Sequence, residues 1–298
     1  LVVPPRTVPG VAVPGSTVPV DRMATRPWVT PCQITGAVPI KGMRSEPVAL
    51  APYPLPPMPL SLLSRDAIAA QLDALPYYST FRGTTNDAVI ELSYMLREFF
   101  APDGLTRAFF TSGGSDSVEV ALRLARQYHK VRGENARTKY LSLKKGYHGT
   151  HFGGASVNGN ANFRTAYEPL LAGCHHIPAP YTYRNPFNET DPAKLAQLCL
   201  AALEDEIAFQ GANTIAAFIM EPVLGAGGVI PPHESFMPGV RDICDRNGIL
   251  LIADEVITAF GRTGSWSGSR HWGVQPDMMA TAKAITKEVP TCKAQHPL

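Results

Sequence analysis

The sequence has no long hydrophobic run, no cluster of basic residues and no paired cysteines. A membrane-spanning helix needs about 18 consecutive apolar residues, and no apolar stretch of the sequence approaches this length. Lysines and arginines are scattered and the net charge is only +2, so we expect neither a nucleic-acid nor a membrane partner. The five cysteines are odd in number, and none belongs to a C-x-x-C pair. They indicate a reduced, cytoplasmic setting.

Proline divides the chain near residue 65. Residues 1–65 hold 14 of the 28 prolines and only two acidic residues, and the stretch VPGVAVPGSTVPV repeats Val-Pro. Because proline removes a backbone donor and restrains its neighbour, this segment is predicted to be irregular or disordered, with a docked arm as the alternative. It also lacks the basic start and continuous apolar core of a signal peptide, so we expect no targeting segment.

Residues 66–298 alternate short apolar runs with amphipathic stretches. The predicted strands are RAFFT, KYLSL, TIAAFIM and ILLIAD, and the predicted helices after the first three are SVEVALRLARQYHKV, LAQLCLAALEDEIAF and FMPGVRDICDRNG. This alternation predicts an α/β domain in which helices cover both faces of a parallel sheet. Ligands of such sheets bind beyond the carboxyl ends of the strands. The residues at those ends are therefore the candidates for function.

The first strand end carries the sequence FFTSGGSDSVEVALRLAR. Gly113, Gly114 and Ser115 lead directly into a helix, whose free N–H groups can bind a phosphate that the glycines let approach closely. The spacing matches neither a Walker motif nor G-x-G-x-x-G. The alternative is an ordinary turn in which Ser112 or Ser115 caps the helix.

The second strand end, KKGYHGTH, presents an aromatic side chain between glycines. Tyr147 and His148 lie where a planar ligand could be stacked. His148 and His151 have no cysteine or carboxylate at ligand spacing, so no metal site is expected. His175 and His176 are predicted to be solvated loop residues.

Two more strands end in carboxylates, and a lysine follows them. Glu221 and Asp254 are expected at the same edge of the sheet, with structural acids bonded to loop amides as the alternative. Lys283, in PDMMATAKAIT, is predicted to be a desolvated amine that forms an imine. A phosphate site, an aromatic ring, an acid and a lysine together suit pyridoxal phosphate, with Asp254 holding the pyridine nitrogen protonated.

From about residue 66 to Thr286 the chain resembles the class III pyridoxal-phosphate aminotransferases, in particular their ω-amino acid:pyruvate branch. The motifs that carry the resemblance are FFTSGGSDSVEVALRLARQYH, KKGYHGT, FIMEPVLGAGGVIPP, LLIADEVITAFGRTGSW and PDMMATAKAIT. The resemblance implies the large domain of a fold type I transferase and a homodimer. It also implies transfer of an amino group from an amine or ω-amino acid to a keto acid such as pyruvate.

The resemblance also implies roles for individual residues. Gly114 and Ser115 would contact the cofactor phosphate, and Tyr147 and Val256 would cover the two ring faces. The remaining roles are Asp254 at the pyridine nitrogen, Glu221 as an acid near the cofactor, Lys283 as Schiff base and proton carrier, and His148 as part of the cofactor motif.

The chain departs from the family in three places. Gly113 stands where the family usually has serine, which removes a possible hydroxyl contact but keeps the backbone donors. No family-like strand segment precedes residue 66, and KEVPTCKAQHPL replaces the expected loop after Thr286. We therefore expect an incomplete large domain without the C-terminal small domain, weakly active or inactive and less prone to dimerise. The alternatives are an aminomutase, which uses the same cofactor, and a non-catalytic fragment.

Overall fold

The computed structural model describes residues 2–3, 60–79 and 84–287. Most of the predicted irregular segment 1–65 lies outside these ranges, as does all of KEVPTCKAQHPL except its first residue. By their contacts the residues form two units, residues 1–9 with 92–298 and residues 10–91. The first unit contains the whole sheet and the candidate site.

The described residues form eight α-helices and seven strands. The helices are α1 (Leu60–Ala74), α2 (Asp87–Phe100), α3 (Gly114–Val131), α4 (Phe152–Val157), α5 (Pro192–Gln210), α6 (Phe236–Asn247), α7 (Gly268–His271) and α8 (Ala284–Lys287). The strands are β1 (Val2–Val3), β2 (Arg107–Ala108), β3 (Lys139–Leu143), β4 (Cys174–Ile177), β5 (Ile215–Met220), β6 (Leu250–Asp254) and β7 (Met278–Ala280).

All seven strands belong to one sheet, in the order β2-β1-β7-β6-β5-β3-β4. The five strands from β7 to β4 are parallel, whereas β1 is antiparallel to both of its neighbours. The parallel sheet predicted from the sequence is therefore confirmed. Because the five parallel strands share one direction, their carboxyl ends meet at a single edge of the sheet.

The two faces of the sheet bury separate hydrophobic clusters. On β5, Phe218 and Met220 pack into the cluster that includes α5 and α6, whereas Ala217 and Ile219 pack into the cluster that includes α3. This alternation follows from the two-residue period of a strand. Every residue of β5 and β6 is buried, as expected for a strand covered on both faces.

Several local predictions were wrong or incomplete. The run RAFFT forms a strand only at Arg107–Ala108, and Phe109 and Phe110 are largely exposed. The predicted strands do not include β1, β4 or β7. β1 has only two residues and lies in the segment predicted to be irregular, β4 reads Cys-His-His-Ile, and β7 has only three residues. His175 and His176 are not solvated loop residues. Both lie on the edge strand β4 and are half-buried.

Candidate functional site

The candidate site lies at the carboxyl edge of the parallel strands. Asp254 ends β6, and Glu221 follows β5 directly. The register that pairs Met220 with Ala253 places these two carboxylates on neighbouring strands, as the sequence predicted. Both side chains are buried, so each requires compensating partners.

Asp254 is held by His148, which arrives from the loop after β3. Nδ1 of His148 lies 2.8 Å from Oδ2 of Asp254, and both side chains are buried. The imidazole Nδ1–H therefore donates to the carboxylate. Among the residues described, Nε2 of His148 is buried and has no hydrogen-bond partner. His148 thus supports Asp254 at the end of β6.

The second oxygen of Asp254 binds the backbone two residues further along the chain. Oδ1 accepts a hydrogen bond of 3.2 Å from the backbone N–H of Val256. A carboxylate has about four acceptor positions, so these two contacts leave it able to accept from a protonated ring nitrogen. The Val256 methyl groups lie 3.1 Å from the position that a Cβ on Gly114 would occupy. Gly114 therefore permits a close approach between α3 and the end of β6.

The N-terminus of α3 faces the same region. Gly113 is the N-cap residue, in extended conformation, and as a glycine it has no side chain that could cap the helix. Neither Ser112 nor Ser115 therefore occupies the N-cap position. Oγ of Ser115 accepts a hydrogen bond of 3.2 Å from the backbone N–H of Thr150 instead. The first N–H groups of α3 have no intrahelical acceptor, and the helix dipole favours an anion there.

Glu221 connects two loops of the site. One carboxylate oxygen accepts from the backbone N–H of Tyr147 and the other from that of Gly225, both at 2.9 Å. Burial raises the pKa of the Glu221 carboxyl, and the charge of Asp254 adds to the rise, while His148 and the two amides oppose it. For Glu221 the geometry matches the alternative of a structural acid bonded to loop amides.

Tyr147 is oriented by its neighbours on both sides of the loop. Its ring packs edge-to-face against Phe163 with the centroids 4.8 Å apart. Its backbone is fixed by Glu221, and the next residue is fixed by Asn158, whose Oδ1 accepts from the backbone N–H of His148. Asn158 also donates from Nδ2 to the carbonyl of Gly149 at 2.9 Å. The sequence did not indicate a role for Asn158, because a single buried asparagine in a loop carries no periodic signal.

Lys283 follows β7 at the same edge but is not desolvated. The residue is exposed and lies in a turn with φ of 48°, three residues beyond Ala280. The expectation of a buried amine is therefore wrong for this structure. The physical reason is that β7 ends at Ala280, so the following turn lies at the open edge of the sheet and not between its covering helices.

The described residues supply no metal centre. His148 faces Asp254, whereas His151 lies 3.2 Å from Asp116 on the surface, so the two histidines have different partners. Over the part of the chain that the structure describes, no three His, Cys, Asp or Glu side chains are grouped to hold a metal ion. Nor does any described helix combine the length and hydropathy required to span a membrane.

Comparison with known proteins gives consistent matches. The family model for aminotransferase class-III matches residues 65–295. The crystal structure of a PLP-bound amine transaminase from an uncultivated Pseudomonas species is 53% identical, with a TM-score of 0.71, over 72% of this chain and 48% of that one. This likeness confirms the fold type I large domain.

Curated relatives match over the same part of the chain. An adenosylmethionine-8-amino-7-oxononanoate aminotransferase from Geobacter sulfurreducens is 40% identical over 74% of this chain and 48% of the relative. An omega-aminotransferase from Caulobacter vibrioides is 38% identical over 77% of this chain and 52% of the relative. The chain thus spans about half the length of these relatives.

Proposed function

Because the chain belongs to the class-III aminotransferase family, whose cofactor is pyridoxal phosphate, we propose that it binds this cofactor at the carboxyl edge of its parallel sheet. The proposed activity is transfer of an amino group from an amine or ω-amino acid to a keto acid such as pyruvate. The proposal rests on Asp254, a buried carboxylate at the end of β6. It accepts hydrogen bonds from His148 and from the Val256 amide, and it can still accept one from a further donor.

The described residues fit the cofactor in three respects. The N-terminus of α3 suits the phosphate, with Gly113, Gly114 and Ser115 at its start. Asp254 suits a protonated pyridine nitrogen, since an ionised acceptor strengthens the hydrogen bond. Lys283 offers an exposed amine at the same edge.

Each side chain has a distinct task in the proposed mechanism. Pyridoxal phosphate, when bound, supplies an aldehyde and an electron-withdrawing ring that stabilises the negative charge left when a substrate C–H bond breaks. Asp254 keeps a proton on the ring nitrogen, and His148 keeps Asp254 oriented. Tyr147 and Val256 cover the ring and exclude water. Nζ of Lys283 accepts the substrate proton and returns it.

Glu221 acts one step further from the cofactor. Both of its oxygens bond to backbone amides, so we assign it the task of holding the Tyr147 loop against the glycine-rich loop after β5. Because the chain spans about half of its relatives, we propose cofactor binding with weak or no turnover.

Borohydride reduction of the purified 298-residue chain with pyridoxal phosphate tests the proposal. We expect a pyridoxyl label on Lys283, located by peptide mapping, and no label in Lys283→Ala. Lys144→Ala is the matched control, since it removes another lysine from the loop after β3 and should keep the label on Lys283. A label on Lys287 or Lys293, or no specific label, would contradict the proposed site.

A further inference from the structure

Glu255, the neighbour of Asp254, has a different environment from every other carboxylate at the edge of the sheet. Its side chain is fully buried and turned away from Asp254 into the base of the following loop. Oε1 accepts from the N–H and the hydroxyl of Ser269, both at 2.6 Å. Oε2 accepts from the hydroxyl of Thr258 at 2.5 Å and from the N–H of Gly268 at 2.8 Å.

Four groups surround the Glu255 carboxyl, two backbone N–H groups and two hydroxyls, and an ionised carboxylate can accept a hydrogen bond from each of them. Burial raises the pKa of the Glu255 carboxyl, and the bonds from Ser269, Thr258 and Gly268 oppose that rise. Two of the donors are backbone N–H groups, which have no lone pair to offer in return. An amide side chain would therefore place an NH2 group against at least one N–H. Glutamine therefore satisfies these donors less well than glutamate does.

The backbone of Glu255 joins the two strands that carry the proposed chemistry. Its N–H donates a hydrogen bond of 2.9 Å to the carbonyl of Ala280. Ala280 is the last residue of β7 and lies three residues before Lys283. On its two sides are Asp254, the proposed partner of the ring nitrogen, and Val256, the proposed cover of one ring face. A rotation of this one residue would displace all three groups together.

We infer that Glu255 is a positioning residue, which holds Asp254, Val256 and the end of β7 in the arrangement that receives the cofactor. The Glu255 side chain bonds to residues at both ends of the loop 256–267. These bonds fix the peptide planes on both sides of Glu255. The inference rests on the proposed function for its catalytic meaning. The geometric claim, that Glu255 sets the Asp254–Val256 contact, can be measured without any cofactor.

The matched control is Asp277, at the opposite end of the same strand pair. Its carboxylate is buried and accepts a hydrogen bond of 2.8 Å from the N–H of Leu251 and one of 2.7 Å from the guanidinium of Arg241. Asp277→Asn makes the same change from carboxylate to amide in a buried network between β6 and β7. It lowers stability in a comparable way but lies at the amino end of the strands, away from Asp254.

The experiment compares the parent, Glu255→Gln and Asp277→Asn, all as the full 298-residue chain. Hydrogen exchange read by mass spectrometry should show exchange of residues 255–258 and 267–270 faster by roughly tenfold or more in Glu255→Gln than in Asp277→Asn. Titration with pyridoxal phosphate, followed by absorbance, should show affinity weakened by roughly tenfold or more in Glu255→Gln alone.

Each outcome decides between distinct claims. Unchanged exchange and affinity in Glu255→Gln, or equal losses in Asp277→Asn, overturn the positioning role. If the parent binds no pyridoxal phosphate, the proposed function fails, and the exchange data still decide the geometric claim. If Glu255→Gln does not fold, Thr258→Val removes one of the four donors and should speed exchange of the same segments to a smaller extent. Parent-like exchange in Thr258→Val then overturns the inference.

Discussion

Nδ1 of His148 and Oδ2 of Asp254 lie 2.8 Å apart in a region where both side chains are buried. The two residues are 106 positions apart in the sequence, on the loop after β3 and at the end of β6. The pair joins strands that do not neighbour each other, because β5 lies between them in the sheet. It therefore depends on the whole central sheet being formed.

His148→Leu should lower the free energy of unfolding by about 1–3 kcal/mol, because it leaves a buried acceptor of Asp254 without its donor. Urea denaturation followed by circular dichroism measures the change. His151→Leu is the matched control. It removes only the exposed pair with Asp116 and should stay within about 0.5 kcal/mol of the parent. Equal stabilities for the two variants would contradict a stabilising role for the buried pair.

Asp254→Asn should weaken binding of pyridoxal phosphate by roughly 10- to 150-fold. This range corresponds to the loss of one charge-assisted hydrogen bond of about 1.5–3 kcal/mol. The amide oxygen can still accept from His148, but the NH2 group then faces the Val256 N–H, so we expect some loss of stability as well. Absorbance titration gives the dissociation constant, with Asp277→Asn as the control for a distant carboxylate. If Asp254→Asn bound pyridoxal phosphate as tightly as the parent, the assignment of Asp254 to the ring nitrogen would be wrong.

Stability should fall in mild acid because of His176. Burial lowers the pKa of His176 to about 4, with Arg164 contributing in the same direction and a hydrogen bond from the imidazole to the backbone of Asn158 opposing it. Between pH 6.5 and pH 4 the unfolded chain therefore takes up a proton that the folded chain does not. The contribution is fully present above pH 6.5 and is lost as the pH falls, by at most about 1.4 kcal/mol per pH unit.

Urea denaturation between pH 7 and pH 4.5 measures this slope in the parent and in His176→Asn. The asparagine does not titrate, so the variant should show a shallower loss of stability on acidification. Identical slopes in the two proteins would show that His176 is protonated in the folded chain as readily as in the unfolded one.

Gly149→Ala should be more destabilising than a comparable change at Gly133. Both glycines have positive φ, of 101° and 81°, so alanine is strained at either position. A Cβ at Gly149 would lie 2.7 Å from Oγ and 2.8 Å from Cα of Ser115, whereas nothing lies within 4 Å at Gly133. We expect a difference of about 1–3 kcal/mol between the variants by urea denaturation. A difference near zero would mean that the loop after β3 can move away from α3.

The α/β class and the residues at the strand ends could both be predicted from the amino-acid sequence. Buried parallel strands such as β5 and β6 are continuous apolar runs, and Glu221 and Asp254 interrupt those runs visibly. Since parallel strands end at one edge, the meeting of these two acids followed without coordinates. The motifs also identified the family, because their order along the chain is specific.

The partners of the individual polar side chains could be identified only from the folded structure. Asp254 and Glu255 are consecutive acids with the same local sequence signal, yet one bonds His148 and the other closes a loop through Ser269. The exposure of Lys283 could likewise not be predicted, because its neighbours in the sequence are mostly apolar. Apolar periodicity reports which face of an element is buried. The partners of a buried polar atom depend on loops that meet across the sheet, at separations over which no local pattern extends.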